Sequence, residues 1–266
     1  MGAGQSLLAV AIGFLSSVLS GLFGIGGGVV TTPAIRIILG REALIAVGTP
    51  LPVILPTAIA GAISYYRRGL MDLRSGLVIG AWGSLASIGG ALATRYVGGT
   101  IIMYVTAGLI GYMSLDMVQL ALRKTPAATP DLIALPAEPR RQVRHRWWGL
   151  AMLGLATGLY SGFLGLGGGF IVVPALVRWF GFEIKPAIGT SLVVVALLSI
   201  PGSITHTLLG HVDLGLAALL ALGVVPGALI GAKITSIAGE RSVKLAFACL
   251  LLLVGVSLAL AEAGVL

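Results

Sequence analysis

The stretch SGLFGIGGGVVTTPA, residues 20–34, places five glycines within nine positions of a segment otherwise as apolar as a membrane span. Three consecutive glycines break a helix, since each costs about 1 kcal/mol relative to alanine in a helix interior. The stretch lies inside an apolar run over residues 7–38. One continuous helix of that length would reach about 48 Å, against a hydrocarbon core of about 30 Å. A break at Gly24–Gly28 leaves one longer and one short helical arm. Pro33 is then expected in the first turn of the short arm, where a missing N–H costs least.

The rest of the chain is built for the same solvent. Of its 266 residues, 57% are hydrophobic and 10% charged, and the mean hydropathy is +1.06. Soluble domains carry roughly a quarter charged residues, so this chain reads as an all-α polytopic membrane protein. Apolar runs cover 7–38, 43–66, 76–94, 100–122, 148–180, 187–209, 214–235 and 243–261, most of them the length of a spanning helix. The start, MGAGQSLLAVAIGFLSS, lacks the basic region and cleavage site of a signal peptide and is expected to belong to the mature protein. The 17 Lys and Arg give a net charge of +8 but are scattered between apolar runs, which argues against nucleic acid as a partner. Cys249, in KLAFACLLLLVG, is expected to pack as a small apolar residue, and no metal cluster or cofactor motif is present.

The two halves of the chain are copies. A shift of 141 residues lays Ser20–Gly28 on Ser161–Gly169 and Pro33-Ala34 on Pro174-Ala175. Without a gap it also lays Gly48-Thr49-Pro50-Leu51 on Gly189-Thr190-Ser191-Leu192, and Asp72-Leu73 on Asp213-Leu214. The expected organisation is a first membrane repeat over 1–122, a cytoplasmic linker over 123–147 rich in Pro, Ala and charge, and a second membrane repeat over 148–266. Duplication of this kind suits a transporter whose site lies at the repeat interface.

Charge orients the halves. If every run crosses the bilayer, Lys and Arg divide almost evenly between its sides. If the two glycine-broken segments return to the side they came from, 14 of the 17 lie on the linker side, with Arg36, Arg41 and Arg95 opposite. The positive-inside rule selects the second arrangement. It predicts two inverted-topology repeats, each with three spanning helices and one Gly-broken segment, re-entrant or a pair of short helices. Both termini are outside and the linker is cytoplasmic.

The paired GxGGG…P segments (Gly24–Pro33, Gly165–Pro174) and the runs AVGTPL (Ala46–Leu51) and AIGTSL (Ala187–Leu192) resemble the TauE/SafE family of sulfite exporters. So do HxxxGxVD (His206–Asp213) and PGALIGAK (Pro226–Lys233). The resemblance covers nearly the whole chain outside the linker. It implies a multi-pass transporter of the bacterial inner membrane, not an enzyme, exporting sulfite, sulfoacetate or a related organosulfonate. An anion channel of the same architecture is the alternative. Membrane lipid and a second copy of the chain are the expected partners.

The residues suit an anion. A helix N-terminus presents free N–H groups, and glycine lets an anion reach them. The expected substrate-binding set is Gly24, Gly26, Gly27 and Gly28 with Gly165, Gly167, Gly168 and Gly169. Hydroxyls of Ser20, Thr49, Ser161, Thr190 and Ser191 support it, with one oxyanion held between the two breaks. His206 and its repeat partner Tyr65 are candidates for proton coupling or gating. Gly89, Gly90, Gly108, Gly111 and Gly231 are expected to serve helix packing. Trp147, Trp148, Tyr65 and Tyr66 suit an interfacial belt, and Asp116 reads as interfacial. No acidic or Ser/His dyad suggests catalysis.

Overall fold

The computed structural model describes residues 3–122 and 146–263, so the proposed linker, apart from its last two residues, lies outside the described residues. The described chain is helical, in twelve helices. In the first half these are α1 (Ala3–Phe23), α2 (Gly28–Pro33, continued by a π turn Ala34–Ile38), α3 (Ala43–Gly48), α4 (Pro50–Tyr66), α5 (Leu73–Ala93) and α6 (Gly99–Leu122). In the second they are α7 (Arg146–Leu164), α8 (Gly169–Trp179), α9 (Ile184–Leu208), α10 (Leu214–Ala221), α11 (Val224–Ile237) and α12 (Glu240–Glu262). Six helical segments are long and apolar enough to cross a membrane, and the pair α10–α11, bent by 47°, is a seventh if it is counted as one span.

Both glycine breaks form where the sequence places them, with one backbone course. Gly24, Gly26 and Gly27 have φ of 72°, 79° and 86°, and Gly165, Gly167 and Gly168 have 68°, 79° and 75°. These left-handed values cost an L-residue with a Cβ about 1–2 kcal/mol each, which is why glycine occupies them. Each first glycine closes the preceding helix, Gly24 N–H donating to Ser20 O at 2.7 Å and Gly165 N–H to Ser161 O at 2.9 Å. The chain then doubles back. The open side of Gly27 faces the Ser16 carbonyl and Ser20, and that of Gly168 faces the Thr157 carbonyl and Ser161, all on the helix just left.

Pro33 and Pro174 do not fall in the first turn, as expected from the sequence, but are the sixth residues of α2 and α8. The arms begin immediately after the glycines, so each proline removes an interior hydrogen bond. In the first half a π turn follows.

Small residues bring helices of opposite halves together. Gly154, Gly158 and Gly162 of α7 lie against the carbonyls of Ile79, Gly83 and Ser87 of α5, where a Cβ would come within 2.4, 2.0 and 2.0 Å. Gly13 and Gly21 of α1 meet the carbonyls of Leu220 on α10 and Ala228 on α11 in the same way. Gly90 and Gly231 pack as expected, against the Leu159 and Val18 carbonyls. Gly89, Gly108 and Gly111 instead face open space, a correction that follows from α5 and α6 exposing one side of each helix. Cys249 likewise lies on the exposed face of α12 rather than in its packed seam. In a helix apolar all round, hydropathy does not tell lipid from neighbour.

Hydrogen bonds between the halves come in pairs related by the 141-residue shift. Asp72 N–H donates to Thr190 Oγ1 at 2.9 Å, and Asp213 N–H to Thr49 Oγ1 at 3.1 Å. The same two aspartates cap α5 and α10, accepting from Ser75 N–H at 3.1 Å and Leu216 N–H at 2.9 Å. Each half thus receives the same bond from the other, at positions related by the repeat.

Candidate functional site

The two breaks meet at the centre of the protein, and residues 23–29 and 164–170 are all buried. Gly26 and Gly167 both face Ile54 and Val195, themselves equivalent under the shift. Gly28 sits against the Leu166 backbone, and Gly169 against the Gly24 carbonyl and Ile25. The middle of the assembly is thus closed by two aliphatic side chains and by direct contact of one break with the other.

Helix ends in so apolar a setting need partners for their last carbonyls. Tyr65 Oη donates to Gly21 O at 3.0 Å, and His206 Nε2 lies 2.7 Å from Gly162 O, its repeat equivalent. Thr235 Oγ1 donates to Leu22 O at 2.7 Å. Tyr65 is 1% exposed, so it belongs to the core and not to the interfacial belt expected of it; Tyr66, Trp147 and Trp148 do face outward. Tyr65→Phe removes the donor while keeping the ring. It is expected to destabilise the protein by about 1–3 kcal/mol, the cost of a buried carbonyl left unpaired, read as a lower thermal midpoint in detergent.

Of the expected hydroxyl donors, one has its hydrogen already used and two serve as acceptors. Ser191 Oγ lies 2.8 Å from Gly24 O and 2.7 Å from Ile188 O, so its single hydrogen is used on a carbonyl. Thr49 and Thr190 each accept the aspartate N–H described above. These residues hold the breaks and loops in place. Ser20 and Ser161 differ. Their hydroxyls are fully buried and have no hydrogen-bond partner among the described residues. Each stands beside the glycine that opens a returning arm, with Ser20 Cβ 3.7 Å from where a Gly27 side chain would begin and Ser161 Cβ 3.4 Å from the corresponding point on Gly168.

A buried hydroxyl without a partner costs about 1–3 kcal/mol, and here the cost occurs twice, at equivalent positions. The arms add free donors, because the first N–H groups of a helix have no partner inside it. Val30 and Thr31 N–H both donate to Gly27 O, and Ile171 and Val172 N–H to Gly168 O, so the free N–H groups precede them. Chemically, each break offers hydroxyl and amide donors together with the positive end of a helix dipole.

Asp116, read from the sequence as interfacial, is partly buried and forms an ion pair with Arg178 at the end of α8. A cavity of about 220 Å³ adjoins this pair, lined also by Tyr112, Ile171, Pro174 and Trp179. Among the described residues no three His, Cys, Asp or Glu side chains gather as metal ligands would.

A model of the family described as Sulfite exporter TauE/SafE matches residues 9–258. The chain belongs to that family. Among curated proteins it is 26% identical over 231 residues to the probable membrane transporter protein YdhB of Bacillus subtilis, covering 87% of this chain and 91% of the relative. It is 28% identical over 240 residues to the probable membrane transporter protein YunE of the same organism, covering 86% of each. To the probable membrane transporter protein MJ0441 of Methanocaldococcus jannaschii it is 22% identical, covering 93% of each. No solved structure matches the chain. This TauE/SafE member is therefore a multi-pass membrane transporter, and its matched segment runs through both breaks and both orphaned serines.

Proposed function

We propose that the protein is a secondary transporter exporting small sulfur-containing anions, sulfite, sulfoacetate or a related organosulfonate, across the bacterial inner membrane by alternating access. The observation that carries this reading is the pair of buried, unpartnered hydroxyls of Ser20 and Ser161 beside the N-termini of the two returning arms. Each break is half of the anion path, Ser20 with Gly27 and Gly28 in one and Ser161 with Gly168 and Gly169 in the other. Gly24, Gly26, Gly165 and Gly167 supply the turn. Separate half-sites replace one anion held between the breaks, because Ile54 and Val195 fill that position.

Contacts at the two ends of the bundle support inverted halves. At one end Arg68 donates to Ala232 O, Lys185 to Ser236 O, and Arg178 pairs with Asp116 near the end of α6. At the other, Arg41 pairs with Asp213 and Gly99 meets Ala43. The first end gathers most of the cations and is assigned to the cytoplasm with the linker, the termini lying outside. A homodimer remains the expected assembly.

Uptake into proteoliposomes from a panel of sulfite, sulfoacetate, thiosulfate and sulfate tests the reading. Saturable flux of sulfite or sulfoacetate, well above that of sulfate, is expected. Unsaturable single-channel conductance in planar bilayers would point instead to an anion channel.

A further inference from the structure

His206 is fully buried on α9, and His211 lies in the loop between α9 and α10. His206 Nε2 stands 2.7 Å from the Gly162 carbonyl oxygen, and its Nδ1 stands 3.3 Å from His211 Nδ1. A carbonyl can only accept, so Nε2 of His206 carries a hydrogen and its Nδ1 is a lone pair. That lone pair accepts from His211 Nδ1–H. The contact holds a single hydrogen, since two would face each other across 3.3 Å.

The other half has no such pair. Tyr65 takes the place of His206, donating to Gly21 O at 3.0 Å, and Leu70 takes the place of His211. Among the described residues a titratable relay therefore sits at one end only. Its inner member bonds to Gly162, the residue next to Ser161 with its unpartnered hydroxyl.

We propose that His206 and His211 form a proton site coupled to the anion site, loaded from the membrane face that carries residues 209–213. The inference rests on the transporter reading above. A proton arriving at His211 Nε2 releases the Nδ1 hydrogen of His211 to His206 Nδ1. His206 becomes an imidazolium still bonded to Gly162 O, and His211 is left neutral as the Nε2–H tautomer. One positive charge has moved from the face to the buried His206, whose Nε2 bonds the carbonyl of Gly162 next to Ser161, and an anion at that break offsets the cost of burying it. By linkage the anion favours the proton equally.

The charged groups around the pair set the range. Burial, and after it the positive charge of Arg95, hold His211 below the ordinary imidazole pKa. Arg41 and Asp213, 3.7 Å apart, neutralise each other in the adjoining loops, and α7 contributes the uncharged Gly162. The site is accordingly empty at neutral pH and fills as pH falls below the ordinary imidazole value.

The chain has three histidines, so the His145→Gln protein labelled with nitrogen-15 shows only this pair by NMR. One proton taken up by the pair, appearing on His206 Nδ1, is expected. Two rings titrating independently, each with its own proton, would overturn the proposal. In proteoliposomes, lowering the pH on the loop face from 8 to 6 is expected to lower the apparent KM for sulfite about tenfold. His206→Tyr, which copies the donor of Tyr65, should transport sulfite without that change. Sulfite's own protonation is common to both proteins and cancels in the comparison. His211→Asn, which leaves His206 on Gly162, should flatten the profile in the same way. An unaltered pH profile in either folded variant would also overturn it. Absence of sulfite flux from the wild type at every pH would count against the substrate assignment, and the titration then decides the proton site by itself.

Discussion

Replacing Gly165 with alanine is expected to destabilise the protein severely. Its φ of 68° is one that L side chains rarely adopt, and a Cβ there would lie 2.0 Å from the Val47 carbonyl oxygen and 2.7 Å from the Val47 carbonyl carbon. The left-handed conformation alone costs about 1–2 kcal/mol. The overlap is with backbone, so relieving it means moving the break away from α3 and losing the contacts of Leu164 and Leu166, both fully buried. Together these effects reach about 4–5 kcal/mol, a large part of the 5–15 kcal/mol that typically stabilises a folded protein. Gly24→Ala is its repeat counterpart, with a Cβ 2.3 Å from Ser191 Oγ and 2.8 Å from Ile188 O, and should behave alike. Gly89→Ala, at a helical position with nothing within 4 Å, should be neutral or stabilising by up to about 1 kcal/mol. Size-exclusion profiles and thermal midpoints of the three variants in detergent check the contrast. A monodisperse Gly165→Ala protein melting with the wild type would show that the break tolerates a side chain.

Much of this architecture is legible in the residues themselves. The run 43–66 coincides with the span Ala43–Tyr66, and the glycine breaks interrupt the over-long runs where length requires. The 141-residue register locates equivalent residues that the structure then pairs with the opposite half. Other features are not legible because they depend on partners far away in the chain. Asp72 and Asp213 align in the repeat, yet their bonds to Thr190 and Thr49 span 118 and 164 residues. Ser191 looks like a donor to an anion until its carbonyl partners on Gly24 and Ile188 are known, and Thr49 and Thr190 show their acceptor role only once the opposite half is in place. Tyr65 and Tyr66 are indistinguishable by composition, and only helix phase places one in the core and the other outside. The serines of the breaks share the same limit. Sequence names Ser20 and Ser161 together with the other hydroxyls, and packing alone shows that these two are left without a partner.

That distinction yields the second large effect. Ser20→Ala with Ser161→Ala removes two buried hydroxyls that make no hydrogen bond among the described residues. Losing an unsatisfied polar group should leave stability unchanged or raise it by about 1–3 kcal/mol per site. Function should move the other way. A hydrogen bond to a charged group contributes about 1.5–3 kcal/mol, so each missing hydroxyl should weaken anion binding about tenfold or more. The opposed signs separate a binding role from a structural one, since a packing residue would lose both together.

The initial rate of sulfite flux through the Ser20→Ala, Ser161→Ala protein in proteoliposomes, measured beside its thermal midpoint, is the most direct test of the anion site. A midpoint at or above that of the wild type, with flux reduced at least about tenfold, is the expected result. Wild-type sulfite flux from the folded double variant would contradict it.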